Sequence, residues 1–255
     1  MTANKRPIVL ITGATSGFGL ATAKKFAQQG YPIIITGRRA DRLQALSTEL
    51  KPLTDVFSAV LDVRDNDAVI AFNKQLPEAF KQVAILINNA GLALGAEPAD
   101  QASLANWHTM IDTNVTGLVN VTHSFLTTLR AQPSATIINL ASIAANWPYP
   151  GSSVYGASKA FVAQFSRNLR SDFAGTGVRV TSLEPGLAES EFSLVRFKGD
   201  QEKYKQIYDN ANALQPEDIA NIILWITEQP AHININSLEV MPTSQAWDNF
   251  KIVKQ

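Results

Sequence analysis

The chain has 255 residues, long enough for one large α/β domain and short for two ordinary ones. Its formal net charge is zero, which argues against nucleic acid or an anionic membrane surface as the main partner. It has no cysteine, so disulfides, thiolate catalysis and zinc–thiolate sites are ruled out, and its three histidines lack metal-ligand spacing, so no metal is expected.

The N-terminus through Pro7 is polar and leads into an apolar run too short for a signal peptide, and no stretch approaches the ~20 apolar residues of a membrane span. The expected location is cytoplasmic. Short β-branched runs follow at 8–12, 33–36, 56–61, 85–88, 136–140, 178–183 and 235–240. Several are apolar without alternation, as strands covered on both faces should be. Helical patterns lie between them near 17–29, 40–50, 66–76, 103–130, 153–174 and 216–228. Alternation of this kind predicts βαβ units and a doubly wound parallel sheet with helices on both faces, a single Rossmann-type α/β domain over 1–255. The stretch 187–213 breaks the rhythm. It is rich in charge and aromatics, and is expected to be a substrate lid after a strand's C-terminal end.

The first strand runs into Gly13, Thr15, Ser16, Gly17, Phe18 and Gly19, spaced G-x-x-x-G-x-G, and then a helix. Such glycines let the backbone turn tightly and approach a pyrophosphate at the helix N-terminus. The second strand ends in Arg38 and Arg39, with no acid nearby. Guanidiniums suit a ribose 2′-phosphate and an acid would repel it, so the dinucleotide expected is NADP. Asp62 and Val63 end the third strand. Asp62 could accept from an adenine amino group or cap the next helix, although Asp65 is better placed for capping. Asn89, Ala90 and Gly91 follow the fourth strand, where small residues suit a crowded backbone beside a ribose.

Tyr155 and Lys159 fall four apart at the start of a predicted helix, so the phenol and the ammonium share a face. A tyrosine is a poor base at neutral pH, and a nearby ammonium favours its phenolate. Ser142 follows the fifth strand, where its hydroxyl can hydrogen-bond a substrate carbonyl. Asn114 lies on a stripe with Ile111 and Leu118 and is expected to be buried. Its amide would then join a water relay to the lysine or satisfy a neighbouring backbone carbonyl.

TGATSGFG, DV, NNAG, Asn114, Ser142, YGASK and PG occur in that order over essentially the whole chain. The sequence thereby resembles the short-chain dehydrogenase/reductase family. The resemblance implies Tyr155 as general acid/base, Lys159 as ribose ligand and tuner of the phenol, Ser142 as carbonyl orienter and Asn114 as relay. It places Pro185, Gly186 and Leu187 beside the nicotinamide, with Ser190 standing where many members have a threonine. It also implies a homotetramer built on the two long helices and the C-terminal segment. Phe161, Phe165 and Leu169 add apolar surface along one side of the second helix, unless that side faces its own sheet.

Longer stretches, from Ala141 to Tyr149, EPGLAESEFSLVRFKGD and PAHININSLEVMP, are similar to the NADP-dependent 3-hydroxy acid dehydrogenases. That subgroup implies serine, allo-threonine or 3-hydroxypropionate/malonic semialdehyde as substrate class. Trp147 is expected in the substrate pocket, and Arg196 is expected to grip a carboxylate, with Lys198 as its rival. Two alternatives stand beside this reading: a reductase of other small carbonyl compounds such as diketones or aldehydes, and a non-catalytic NADP-binding regulator.

Overall fold

The computed structural model describes residues 6–197 and 199–247, with Lys203 through its backbone alone. Seven strands run β1 (Ile8–Ile11), β2 (Ile33–Gly37), β3 (Val56–Val60), β4 (Val83–Asn88), β5 (Ala135–Leu140), β6 (Val178–Pro185) and β7 (Ser237–Val240). All pair in parallel in the order β3-β2-β1-β4-β5-β6-β7. This is the Rossmann-type single α/β domain expected. The order reverses between β1 and β4, so the crossovers diverge there and leave a crevice at the carboxyl ends of the strands.

The helices are α1 (Gly17–Gln28), α2 (Ala40–Leu50), α3 (Asn66–Lys74), α4 (Leu104–Ile111), α5 (Gly117–Arg130), α6 (Ser153–Asp172), α7 (Glu191–Arg196), α8 (Gln201–Tyr208) and α9 (Pro216–Thr227). Side chains alternate along each strand, so successive apolar residues feed opposite faces of the sheet. Val9, Ile11, Ile33 and Ile35 pack with Phe26, Leu43 and Ile223 on one side. Leu10, Ile34, Leu86 and Ile137 pack with Phe72, Phe125 and Leu129 on the other. Both faces are dry, which is why these strands read as apolar runs.

Two elements differ from the expected bounds for local reasons. The helix expected over 103–130 is three segments, because Asp112–Thr116 forms a π-helical turn between α4 and α5. A π turn inserts an extra residue and re-aims the side chains on it, commonly at a functional site. The last strand begins at Ser237, not Ile235, because the Asn234 side chain takes over the ladder: its Oδ1 accepts from Val180 N at 2.7 Å and its Nδ2 donates to Val180 O at 2.9 Å. The segment 187–213 contains α7 and α8, joined to the body by the parallel bridge of Ala188 with Leu214. Among the described residues, no helix is long and apolar enough to cross a membrane.

The aromatic side of α6 divides in the fold. Leu169 is buried and Phe165 packs against the core, while Phe161 stays exposed and stacks on Phe165 at 5.7 Å.

Candidate active site

A cleft of about 330 Å³ opens over the switch point, walled by the loops that leave β1, β2, β3, β4, β5 and β6. The turn after β1 is shaped by contact with the one after β4. Gly13 has φ +67°, and a methyl group on it would stand 2.9 Å from the Ala90 Cα, so only glycine fits there. Asn89 ties the two turns together, its Nδ2 donating to Thr12 O at 2.9 Å and Gly13 O at 3.1 Å. Gly19 lies behind the cleft wall, where its bare Cα makes room for the Asn89 amide.

The N-terminus of α1 faces this cleft. Its first turn carries no acidic residue and no side chain caps it. Its free N–H groups and the positive end of the helix dipole therefore favour an anion. The Ser16 hydroxyl is occupied instead by Arg39, whose Nη2 donates to it at 2.6 Å and to Thr15 Oγ1 at 2.9 Å. Arg38, Arg39, Asp62 and Val63 line the same end of the cleft. The Asp62 carboxylate is forked by the Arg64 guanidinium, with bonds of 2.9 and 2.5 Å. Hydrogen bonding from Arg64 outweighs burial and holds the Asp62 carboxyl below the usual range. Capping of α3 falls to Asp65, which accepts from Ala68 N at 3.0 Å.

At the other end, Ser142, Tyr155 and Lys159 meet on the cleft wall, each at least nine-tenths buried. Ser142 also caps a short 3₁₀ turn, accepting from Ala144 N at 3.2 Å. The Tyr155 pKa is raised above 10; burial raises it most, while a hydrogen bond with Ser142 and the Arg196 charge pull it down. Lys159 donates to Leu140 O at 2.7 Å, and burial pushes its pKa down to about 8. Its Nζ lies 5.9 Å from the centre of the Tyr155 ring.

Asn114 sits behind this trio on the π-helical turn and is 2% exposed. Its Oδ1 accepts from Leu92 N at 2.9 Å, and its Nδ2 donates to Leu92 O at 2.9 Å and Ser158 Oγ at 3.0 Å. The amide is satisfied by protein groups, as the backbone-carbonyl alternative had it. A methyl group on Gly91 would still stand 3.2 Å from Asn114 Oδ1 and 3.4 Å from Lys159 Nζ, so both border one small gap.

This constellation crosses six loops of one parallel sheet. The sequence pattern described as short chain dehydrogenase matches residues 7–200. The chain belongs to the short chain dehydrogenase family. This short chain dehydrogenase is 57% identical over 246 residues, 96% of its length and 98% of the other's, to sulfoacetaldehyde reductase 2 of Chromohalobacter salexigens. It is 50% identical over 246 residues, with 96% and 98% coverage, to the NADP-dependent 3-hydroxy acid dehydrogenase of Salmonella typhi. It superposes with a TM-score of 0.94 on the closed form of serine dehydrogenase complexed with NADP⁺, at 50% identity, covering 97% of this chain and all of that one. The sequence reading had not considered a sulfonate substrate.

In this dehydrogenase, Pro185, Gly186 and Ser190 reach the cleft and Leu187 does not. The Leu187 N–H is held at 2.7 Å by Gln245 Oε1 of the C-terminal segment. Trp147 lies outside the cleft wall. Its indole is 43% exposed and donates to Glu239 at 2.8 Å, a partner that also receives Trp247 at 3.1 Å. Arg196 is not part of the cleft wall either: its Nε donates to Gly95 O at 3.0 Å and its Nη1 to the Tyr149 hydroxyl at 3.2 Å, while its charge is felt at Tyr155. Lys198 lies outside the described residues. Two residues of α7 escaped the sequence reading of the site. Phe192 packs on the Tyr155 ring at 5.7 Å, and Glu191 pairs with Arg39 and with Arg42 of α2. Nothing local marks Glu191, because its partners are roughly 150 positions away.

Proposed function

We propose that this chain transfers a hydride between NADP(H) and the 3-hydroxyl or 3-oxo carbon of small anionic hydroxy acids, with serine, allo-threonine and 3-hydroxypropionate/malonic semialdehyde as the carboxylate substrates. The similarity to a sulfoacetaldehyde reductase widens the anion to a sulfonate. NADP supplies the hydride acceptor or donor when bound. The residues fit that group: the uncapped α1 N-terminus and the bare Gly13 suit a pyrophosphate, and the Arg38–Arg39 pair suits a 2′-phosphate. Arg38, Arg39, Asp62, Asn89, Lys159, Pro185 and Ser190 are the proposed contacts along its length.

In the reductive direction, Ser142 donates a hydrogen bond to the substrate carbonyl oxygen. Tyr155 gives that oxygen its phenolic proton as an alcohol forms, and takes the proton back in the oxidative direction. Lys159 holds the ribose and, as an ammonium, favours the phenolate that remains. Asn114 keeps Leu92 and Ser158 in place beside the lysine and borders the gap through which a water can return the proton.

The observation that carries the substrate reading is Arg196. Among the described residues, its anchors on Gly95 and Tyr149 use two of five guanidinium donors, and its charge is felt at Tyr155, so the remaining donors are the proposed grip on an anion near the phenol. A guanidinium there fixes the distance from the acid group to the reacting carbon. Segment 187–213 is proposed as the lid that carries it. Trp147 is proposed as a wall of the substrate entrance only in so far as Glu239 releases it. The proposed assembly is a homotetramer in the cytoplasm, supported by the exposed Ile111 and Phe161 on the two long helical stretches.

The test is a spectrophotometric panel with NADP⁺ and NADPH across serine, allo-threonine, 3-hydroxypropionate, malonic semialdehyde, sulfoacetaldehyde and an uncharged diketone. The reading expects kcat/KM highest for the anionic compounds. A preference for the diketone would favour the broader carbonyl reductase instead.

A further inference from the structure

Glu191 opens α7 and faces the adenosine end of the cleft. Both of its carboxylate oxygens accept from Arg42 Nη1 at 2.8 Å, and one also accepts from Arg39 Nη1 at 3.1 Å. Arg39 and Arg42 lie three positions apart at the start of α2, so their guanidiniums share one side of the helix. Arg39 is held in turn by Thr15 and Ser16 of the glycine loop. The side chains of Arg39, Arg42 and Glu191 are 41%, 48% and 42% exposed, so the cluster is open to exchange with an ion from solvent.

The reading above puts the 2′-phosphate on Arg38 and Arg39, and Arg39 brings this cluster to that phosphate. A carboxylate and a phosphate monoester present the same kind of oxyanion edge to a guanidinium. We propose that Glu191 is an internal stand-in for the 2′-phosphate, so that NADP binding exchanges one anion for another on Arg39 and Arg42. This inference rests on NADP being the cofactor.

The consequence concerns cofactor preference. A phosphate carries about −1.5 to −2 charge at neutral pH and outcompetes a single carboxylate, yet it must first displace that carboxylate. NAD has a hydroxyl at this position and no charge with which to displace Glu191. Glu191 therefore lowers NADP affinity selectively and narrows the gap between the two dinucleotides. The carboxylate adjoins Phe192, which packs on Tyr155.

The experiment titrates the full-length wild type and Glu191→Gln with NADPH and NADH by fluorescence, and repeats it with adenosine 2′-monophosphate and 5′-monophosphate as competitors. Glutamine keeps the size and an acceptor oxygen while removing the charge. The expected result is that NADPH and the 2′-monophosphate bind about three- to tenfold tighter to the variant, the scale of one or two half-exposed ion pairs. NADH and the 5′-monophosphate should stay within twofold. Unchanged or weaker NADPH binding would overturn the proposal. So would an equal change for both dinucleotides, which would mean that Glu191 merely holds α7 in place. A wild type that binds NADH as tightly as NADPH would instead defeat the cofactor reading on which the inference rests.

Discussion

Phe192 covers the Tyr155 ring with centroids 5.7 Å apart and planes inclined at 59°. The contact joins the inserted helix α7 to the phenol at the head of α6. It helps keep water off the phenol, whose burial holds its pKa above 10. Burial thus favours the protonated phenol, the form that the proposed proton transfer to a substrate oxygen requires.

Removing the phenolic hydroxyl tests that role. Tyr155→Phe keeps the ring, its packing on Phe192 and the cleft wall. It is expected to leave NADPH binding within a few-fold and to lower kcat by at least ~100-fold, the scale of losing a general acid–base group. Steady-state kinetics beside a fluorescence titration checks both halves, and wild-type turnover would end the assignment.

Cofactor choice is expected to follow the guanidiniums at the end of β2. Replacing Arg38 and Arg39 together by alanine should weaken NADPH by roughly 1.5–3 kcal/mol, the worth of charged hydrogen bonds, and affect NADH far less. An equal loss for both would show that the pair serves the fold, as Arg39 does by holding the glycine loop through Thr15 and Ser16.

Arg196→Ala should raise KM for anionic substrates by roughly ten- to a hundredfold, the worth of a charged hydrogen bond, and spare an uncharged alcohol of similar size. Arg196→Lys should rescue this only in part, because an ammonium cannot hold Gly95 O, Tyr149 and an anion with a fixed fork. If charged and uncharged substrates suffer alike, Arg196 is a clasp for α7 and reads no charge.

Lys159 should leave a signature in stability. Its folded pKa of about 8 lies below the 10.5 of a solvated lysine, because burial disfavours the ammonium. The unfolded chain thus binds more protons between these values, so the lysine's unfavourable contribution shrinks as pH rises from about 8 to 10.5. Lys159→Met removes that dependence. Chemical denaturation of both proteins without cofactor should show the wild type gaining on the variant across this window. A constant difference would mean that the ammonium is not desolvated in the folded protein.

Much of the site was legible because its parts are local. The strand–glycine–helix unit at 8–28, the Arg38–Arg39 pair and the Tyr155–Lys159 spacing each lie within one element or one turn. Local chemistry suffices to read them: glycine marks a turn, four positions mark one face of a helix, and apolar runs mark buried parallel strands. Asp65 as the cap of α3 was legible for the same reason.

What could not be read depends on residues far apart in the chain. The π-helical turn that carries Asn114 is tied through that side chain to Leu92 and Ser158, which are 22 and 44 positions away. Trp147 is drawn to Glu239 on β7, and Glu191 is paired with α2 across some 150 positions. The sequence by itself determined the parallel α/β sheet, the cleft at its switch point and the residue types gathered there. Those are set by periodicity and by backbone chemistry at single turns. Only the tertiary structure decided which charges meet and how deeply Tyr155 and Lys159 are buried. Pairing and desolvation are properties of the space between elements, and no spacing along the chain encodes that space.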